Sequence, residues 1–285
     1  MDSLAIIGGR PLFGEIPISG AKNSALKVMA ASLLTDGVLT IENTPRLADV
    51  RMLVQLLAQH GVEHKFEGST LTLCAATISS TLAPYDLVRK MRASFNVLGP
   101  LLAREGKAKV SLPGGCAIGA RPVDLHLKAL AAMGAKIELD EGYVIAEAPG
   151  GLHGARIDFP FVSVGATEHA MLAATLARGE TVLSNAAREP EIDDLAHCLI
   201  AMGARIEGTG TSTIHIHGVD KLHGATHEVL PDRIETGAYA MAAGVAGGEL
   251  FLKNARLDLL GAAVGALEEA GLLIAEAPGG VKVKR

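Results

Sequence analysis

At 285 residues, with 49% apolar side chains, the chain is long enough for a large core and more than one domain. Its net charge of −5 excludes a general nucleic-acid surface, which needs cations against phosphates. No run reaches about 18 uninterrupted apolar residues, so no membrane span is expected. Three cysteines cannot build a disulfide framework, and Asp2 stands where a signal peptide carries positive charge, so the expected compartment is the reducing cytoplasm.

Aromatics amount to 3% and Trp is absent, so the core must be made of Ala, Leu, Val and Ile, with 33 glycines punctuating many short elements. In chain order those elements repeat. AASLLTDGVLT (30–40), GPLLAREGKAKV (99–110), AATLARGETV (173–182) and AAGVAGGEL (242–250) each read as the end of an apolar helix, a glycine and a strand. The aligned glycines are Gly37, Gly106, Gly179 and Gly248, spaced 69, 73 and 69 residues apart. A polar connector follows, then a second amphipathic helix, expected at 50–60, 123–133, 192–202 and 257–270. These helices end at Gly61, Gly134, Gly203 and Gly271, the C′ position that favours glycine. A hairpin closes each unit (63–73, 136–146, 205–216, 273–283). A unit of about 70 residues has too little core to stand alone, so neighbours must share apolar faces. The Ala- and Gly-rich helices are expected inside, with the sheets outside.

The stretch 111–126, SLPGGCAIGARPVDLH, concentrates the chemistry. Cys116 stands among Gly114, Gly115 and Gly119, with Arg121 five residues on. Glycines let a backbone approach a ligand, and a cation near an exposed thiol lowers its pKa. The alternative is a turn with an incidental cysteine, against which Pro113 and the glycines argue. His126 is a proton carrier or simply a helix residue. Asp124 fits a first helical turn.

Elsewhere, Lys22 and Asn23 in SGAKNS open a helix, as solvated groups or as an anion site. The spacing is not that of a phosphate-binding P-loop, nor is GGCAIG a dinucleotide fingerprint. Arg92, among apolar residues on an expected helix, requires a partner or an anion. Phe161, Val162, Ser163, Val164 and Gly165 precede a helix and offer either backbone N–H groups to a diphosphate or a plain capped start. Glu189, Asp232, Arg233 and Glu235 are connector charges. His215 and His217 share a strand face, as metal ligands without an evident third or as a solvated face, and no metal site is expected. Cys74 and Cys198 read as core.

Six strings in order, SGAKNS (19–24), MRAS (91–94), LPGGCAIGARPVDLH (112–126), SVGAT (163–167), NAAREPEI (185–192) and LPDRIETG (230–237), resemble the enolpyruvyl transferases, in particular the subgroup with a cysteine loop. The resemblance implies an α/β fold of inverse α/β-barrel-type repeats, with buried helices and outer sheets, in two domains of three units each. This chain carries four of the six units. Residues 22–230 would form a complete domain with the cysteine loop, and 1–21 with 231–285 an incomplete one.

The implied substrates are phosphoenolpyruvate and UDP-N-acetylglucosamine, with no cofactor, in the first committed step of peptidoglycan synthesis. By resemblance Cys116, Lys22 and Arg121 are catalytic, and Lys22, Asn23 and Arg121 hold phosphoenolpyruvate. The nucleotide sugar falls to Arg92, Arg121, Pro122, Val123, Asp124, Leu125, Phe161, Val162, Ser163, Val164 and Gly165. Asn96 departs from the family, in which tryptophan is common there. The family's general base falls outside these four units. A UDP-sugar-binding fragment without turnover is therefore the alternative, with self-association through the incomplete domain.

Overall fold

Four glycine-punctuated repeats become four sheets of one topology in a computed structural model that describes residues 3–5, 7–89, 91–113 and 123–285. The chain divides into two compact units, Lys22–Val229 and Met1–Ala21 with Leu230–Arg285. Strand β1 (Leu12–Pro17) belongs to the smaller one.

The larger unit makes three passes of helix, strand, helix and hairpin. The first is α1 (Lys22–Ala31), β2 (Val38–Glu42), α2 (Ala48–Gln59), β3 (Glu63–Glu67) and β4 (Thr70–Cys74). After the short β5 (Leu82–Ala83) and α3 (Tyr85–Val88) come α4 (Leu98–Glu105), β6 (Lys107–Ser111), α5 (Asp124–Ala132), β7 (Lys136–Asp140) and β8 (Tyr143–Glu147). Strand β9 (Arg156–Asp158) leads to α6 (Val164–Ala174), β10 (Glu180–Ser184), α7 (Pro190–Ala201), β11 (Arg205–Glu207), β12 (Thr213–His217) and β13 (Ala225–Glu228). In each pass the first strand pairs antiparallel with the second hairpin strand.

On its other side each first strand takes a parallel edge strand from the preceding connector: β5 beside β6 and β9 beside β10. The exit strand of the third pass, β13, returns to β2 of the first, with Ala225 opposite Leu39. The three passes thus close in a ring. Sequence reading missed these edge strands because segments of two to four residues show no alternation.

Burial follows the periodicities. In β4 Leu71 and Leu73 are buried while Thr70, Thr72 and Cys74 alternate outward. This corrects the core reading of Cys74: it lies on the outer face and is only half-buried. Cys198 is fully buried. In β12, Ile214 and Ile216 face inward, and His215 and His217 share the exposed face with Glu180, 3.0 and 3.7 Å from its Oε1. Helix α6 is buried from Ala166 through Ala174, with Thr167, Glu168 and His169 enclosed among its apolar residues, and seven of the ten residues of α1 are buried.

The smaller unit holds one pass: α8 (Arg233–Ala246), β14 (Gly248–Lys253), α9 (Ala263–Glu269), β15 (Leu273–Ala277) and β16 (Gly280–Lys284). Its sheet runs β1-β14-β16-β15, with β1 as the parallel edge strand. The helix expected at 257–270 is broken: a 3-10 turn, Leu257–Leu259, precedes α9, and Gly261 between them has φ +51°, outside the right-handed helical region. Arg92 likewise opens a 3-10 turn, Arg92–Val97, rather than an α-helix.

Candidate active site at the helix starts

In each pass of the larger unit the first strand runs into the second helix through a connector, and one of these three connectors differs. Residues 43–47 and 185–189 are five-residue links that begin with a left-handed asparagine, Asn43 (φ 53°) and Asn185 (φ 54°). Both amides brace the neighbouring edge segment: Asn43 Nδ2 donates to the Val229 carbonyl and Asn185 Nδ2 to the Phe159 carbonyl, each at 2.9 Å. In the second pass Leu112 takes the asparagine position and the link runs for twelve residues, 112–123. Seven residues have been added there. Gly114, Gly115, Cys116, Gly119, Arg121 and Pro122 lie in this link, outside the described residues.

Around the link's described ends, helix starts gather. Lys22, the first residue of α1, pairs with Asp49 in the first turn of α2 (Nζ to Oδ2, 3.1 Å), and Asn23 is exposed beside it. The Ser24 hydroxyl donates to the Asp194 carboxylate in α7, whose other oxygen lies 3.1 Å from His227 Nε2. One turn further into α1, Lys27 forms a buried ion pair with Glu168 of α6. Val123 and Leu125 are buried at the start of α5, while Asp124 heads the helix and lies 3.4 Å from Lys128 Nζ.

Ser163 caps α6, its Oγ accepting from the Ala166 N–H, and Phe161 and Val162 before it are 60% and 54% exposed. Val164 and Gly165 form the first turn of α6. Glu189 precedes α7, and its carboxylate accepts from the Arg188 N–H. The starts of α1, α2, α5, α6 and α7 therefore share one end of the larger unit. Helix-start N–H groups and dipoles favour negative charge, which Asp49, Asp124 and Glu191 supply in the first turns of α2, α5 and α7. Asp232 caps α8 in the smaller unit, preceding Arg233, and Glu235 Oε2 accepts from the Ser19 N–H and hydroxyl.

A histidine pair lies beneath the α5 and α6 starts. His126 Nδ1 and His169 Nδ1 are 3.1 Å apart, and the Phe95 ring packs edge-on against His126 at 5.8 Å. Burial, then the charges of Arg92 and Lys27, lower the His126 pKa to about 3. Burial pushes His169 well below its ordinary value. Burial also raises Glu168 against the opposing pull of Lys27, and Glu168 Oε1 has no hydrogen-bond partner among the described residues. Asn96 is buried, its Nδ2 donating to the Ala93 carbonyl at 3.0 Å. At the other end of the unit a cavity of about 210 Å³ is lined by Thr35, Asp36, Arg104 and Lys221, remote from this constellation.

A model of the EPSP synthase (3-phosphoshikimate 1-carboxyvinyltransferase) family matches residues 6–285. The chain belongs to the enolpyruvyl transferase family. Within it, the chain is 62% identical over 296 residues to the UDP-N-acetylglucosamine 1-carboxyvinyltransferase of Rhodospirillum centenum, covering all of this chain and 68% of that relative. The enzyme of the same name from Caulobacter vibrioides is 62% identical over 289 residues, with 67% of its length covered. Among solved structures, the enolpyruvyl transferase NikO of Streptomyces tendae superposes with TM-score 0.81 at 24% identity, covering 97% of this chain and 66% of that one. EPSP synthase of Acinetobacter baumannii gives 0.74 at 19%, over 98% and 65%. These two likenesses show the enolpyruvyl transferase fold. The chain spans about two thirds of the length of these relatives.

Sequence reading passed over Lys27, Glu168, His169, Asp194 and His227. The available signal was charge within apolar helices: Glu168-His169 interrupts an otherwise alanine-rich segment, and a buried charge requires a partner.

Proposed function

We propose that the chain carries an enolpyruvyl transferase site for phosphoenolpyruvate and UDP-N-acetylglucosamine, acting in the cytoplasm at the entry to peptidoglycan synthesis. The observation that carries this reading is the 62% identity to enzymes of that name along the whole chain. The sequence of the link 112–123, which carries Cys116 and Arg121 and whose described ends lie among helix starts, supports it.

In the proposed reaction the 3′-hydroxyl adds to C2 of phosphoenolpyruvate as C3 gains a proton. The resulting tetrahedral adduct then loses a proton from C3 and expels inorganic phosphate, leaving the enol ether. Cys116 delivers the proton to C3. Its thiol must be protonated to donate, whereas a cation such as Arg121 favours the thiolate. Lys22, Asn23 and Arg121 offset the charge on the departing phosphate. Arg92, Arg121, Pro122, Val123, Asp124 and Leu125 receive the nucleotide sugar. Phe161, Val162, Ser163, Val164 and Gly165 meet it from the α6 start, where N–H groups suit a diphosphate.

A second reading, nucleotide-sugar binding without turnover, is favoured by the helix starts at Val123–Leu125 and Ser163–Gly165, which the larger unit holds by itself. Phosphate release from phosphoenolpyruvate, measured with and without UDP-N-acetylglucosamine, separates the two. Sugar-dependent release supports transfer, calorimetric binding without release supports the second reading, and neither binding nor release rejects both.

A further inference from the structure

The histidine pair joins the two segments that the proposed function gives to the nucleotide sugar, and its hydrogen bonds run in one direction. The Gly99 N–H donates to His169 Nε2 at 2.8 Å, so that nitrogen is an acceptor. A neutral imidazole has one acceptor and one donor, which leaves the proton of His169 on Nδ1. His169 Nδ1–H therefore donates to His126 Nδ1 at 3.1 Å, and His126 carries its own proton on Nε2. The backbone of α4 thus sets the tautomer of both rings. Burial and the adjacent charges of Lys27 and Arg92 keep the rings neutral, so the direction is not reversed by protonation near neutral pH.

The rings also replace missing side chains. A Cβ on Gly99 would stand 2.8 Å from His169 Cδ2 and Nε2. A Cβ on Gly165 would stand 3.3 Å from His126 Cε1 and 3.4 Å from Nε2. His126, two residues into α5, therefore fills the space beside the first turn of α6. The line Gly99, His169, His126, Gly165 ties the helix starts at Val123–Leu125 and Ser163–Gly165 to the rigid middle of the unit.

We propose that His169 is a positioning residue for the nucleotide-sugar site: its Nδ1–H orients His126, and His126 holds the starts of α5 and α6 in register. The placement of the sugar at those starts rests on the proposed function; the positioning itself does not. His169 touches no substrate in this assignment.

Two substitutions separate its bonds. His169→Gln keeps an acceptor at the Nε2 position for Gly99 but loses the donor toward His126. His169→Asn keeps the donor and loses the acceptor. The expected result for the full chain is that His169→Gln raises amide exchange at 123–126 and 163–166 by about tenfold, the loss of one buried hydrogen bond. UDP-N-acetylglucosamine binding, read by calorimetry, weakens by a similar factor. His169→Asn lowers the denaturation midpoint yet leaves exchange at both helix starts, and sugar binding, near the wild-type values. Unchanged exchange in His169→Gln overturns the proposal, as does an equal loss in both variants, which would mark a packing role alone. Should His169→Gln fail to fold, disturbed exchange at those starts in His169→Asn overturns it and wild-type exchange supports it. A wild-type chain that shows the exchange pattern but binds no sugar leaves the positioning standing and removes the ligand assignment.

Discussion

Replacing Gly99 by alanine is the sharpest perturbation of this arrangement. In an ordinary helix interior the change is favourable by about 1 kcal/mol, because alanine loses less backbone entropy. In α4 the new Cβ falls 2.8 Å from two ring atoms of His169 and 3.2 Å from its carbonyl oxygen. The ring is fully buried and cannot swing out. Overpacking of this kind costs roughly 1–3 kcal/mol, and the lost hydrogen bond from Gly99 costs about 1–3 kcal/mol more. Setting the helix gain against these terms leaves a net loss near 3 kcal/mol, a Tm fall of roughly 6–12 °C for a body of this size. Urea unfolding followed by circular dichroism measures it. Gly265→Ala is the control: Gly265 lies within α9 with nothing inside 4 Å of the added carbon, so that variant should gain about 0.5–1 kcal/mol. A Gly99→Ala protein as stable as wild type would refute the claim that α4 and the histidine pair are locked together.

Three further outcomes are expected. Brief exposure to an epoxide such as fosfomycin should label Cys116 and spare Cys198, whose thiol burial pushes up to about 12, as read by mass spectrometry; labelling of Cys198 in the folded chain would dislodge the assignment. Stability should fall as pH drops below about 6.5, because the unfolded chain takes up protons that His126, His169 and His60, all lowered by burial, refuse in the folded state. Each contributes up to about 1.4 kcal/mol per pH unit, so urea midpoints at pH 7.5 and 5.5 should differ, and equal midpoints would contradict the buried neutral pair. Ile234, Ala238, Met241 and Val245 form an exposed apolar stripe on α8, so the chain should self-associate in a concentration-dependent manner, and Met241→Lys with Val245→Lys should suppress this in sedimentation runs.

The repeat was legible because its punctuation is chemical. Gly61, Gly134, Gly203 and Gly271 all adopt φ between +92° and +102°, a conformation that left its mark in the sequence as a glycine at each helix end. Ring closure was not legible: pairing of β13 with β2 joins residues nearly 190 positions apart through four register pairs, and nothing local in ATHE announces it. The site divides in the same way. SGAKNS, the cysteine link and SVGAT were readable as motifs, since glycines and charges at helix starts stand out. His169 and Lys27 were not, because their meaning depends on which buried helices meet. Cys74 was misread because alternation within β4 fixes its face only once the sheet's inner side is known.

Comparison among the passes gives a last test, on where the activity resides. The links at 43–47 and 185–189 show that five residues suffice to carry the chain from first strand to second helix in this fold. The twelve residues of 112–123 therefore contain seven that the framework does not require. Loop-closure entropy puts the cost of the longer link at only about 0.8 kcal/mol, so its presence is cheap in stability. Replacing 112–123 by the sequence of 185–189, NAARE, should leave a chain with the same circular dichroism spectrum and a urea midpoint equal to or slightly above that of wild type. The same variant should bind no nucleotide sugar and release no phosphate, since Cys116, Arg121 and Val123 leave together. An unfolded variant would mean that the long link is part of the framework rather than an addition to it. Retained sugar binding would place the ligand elsewhere, and with it the function.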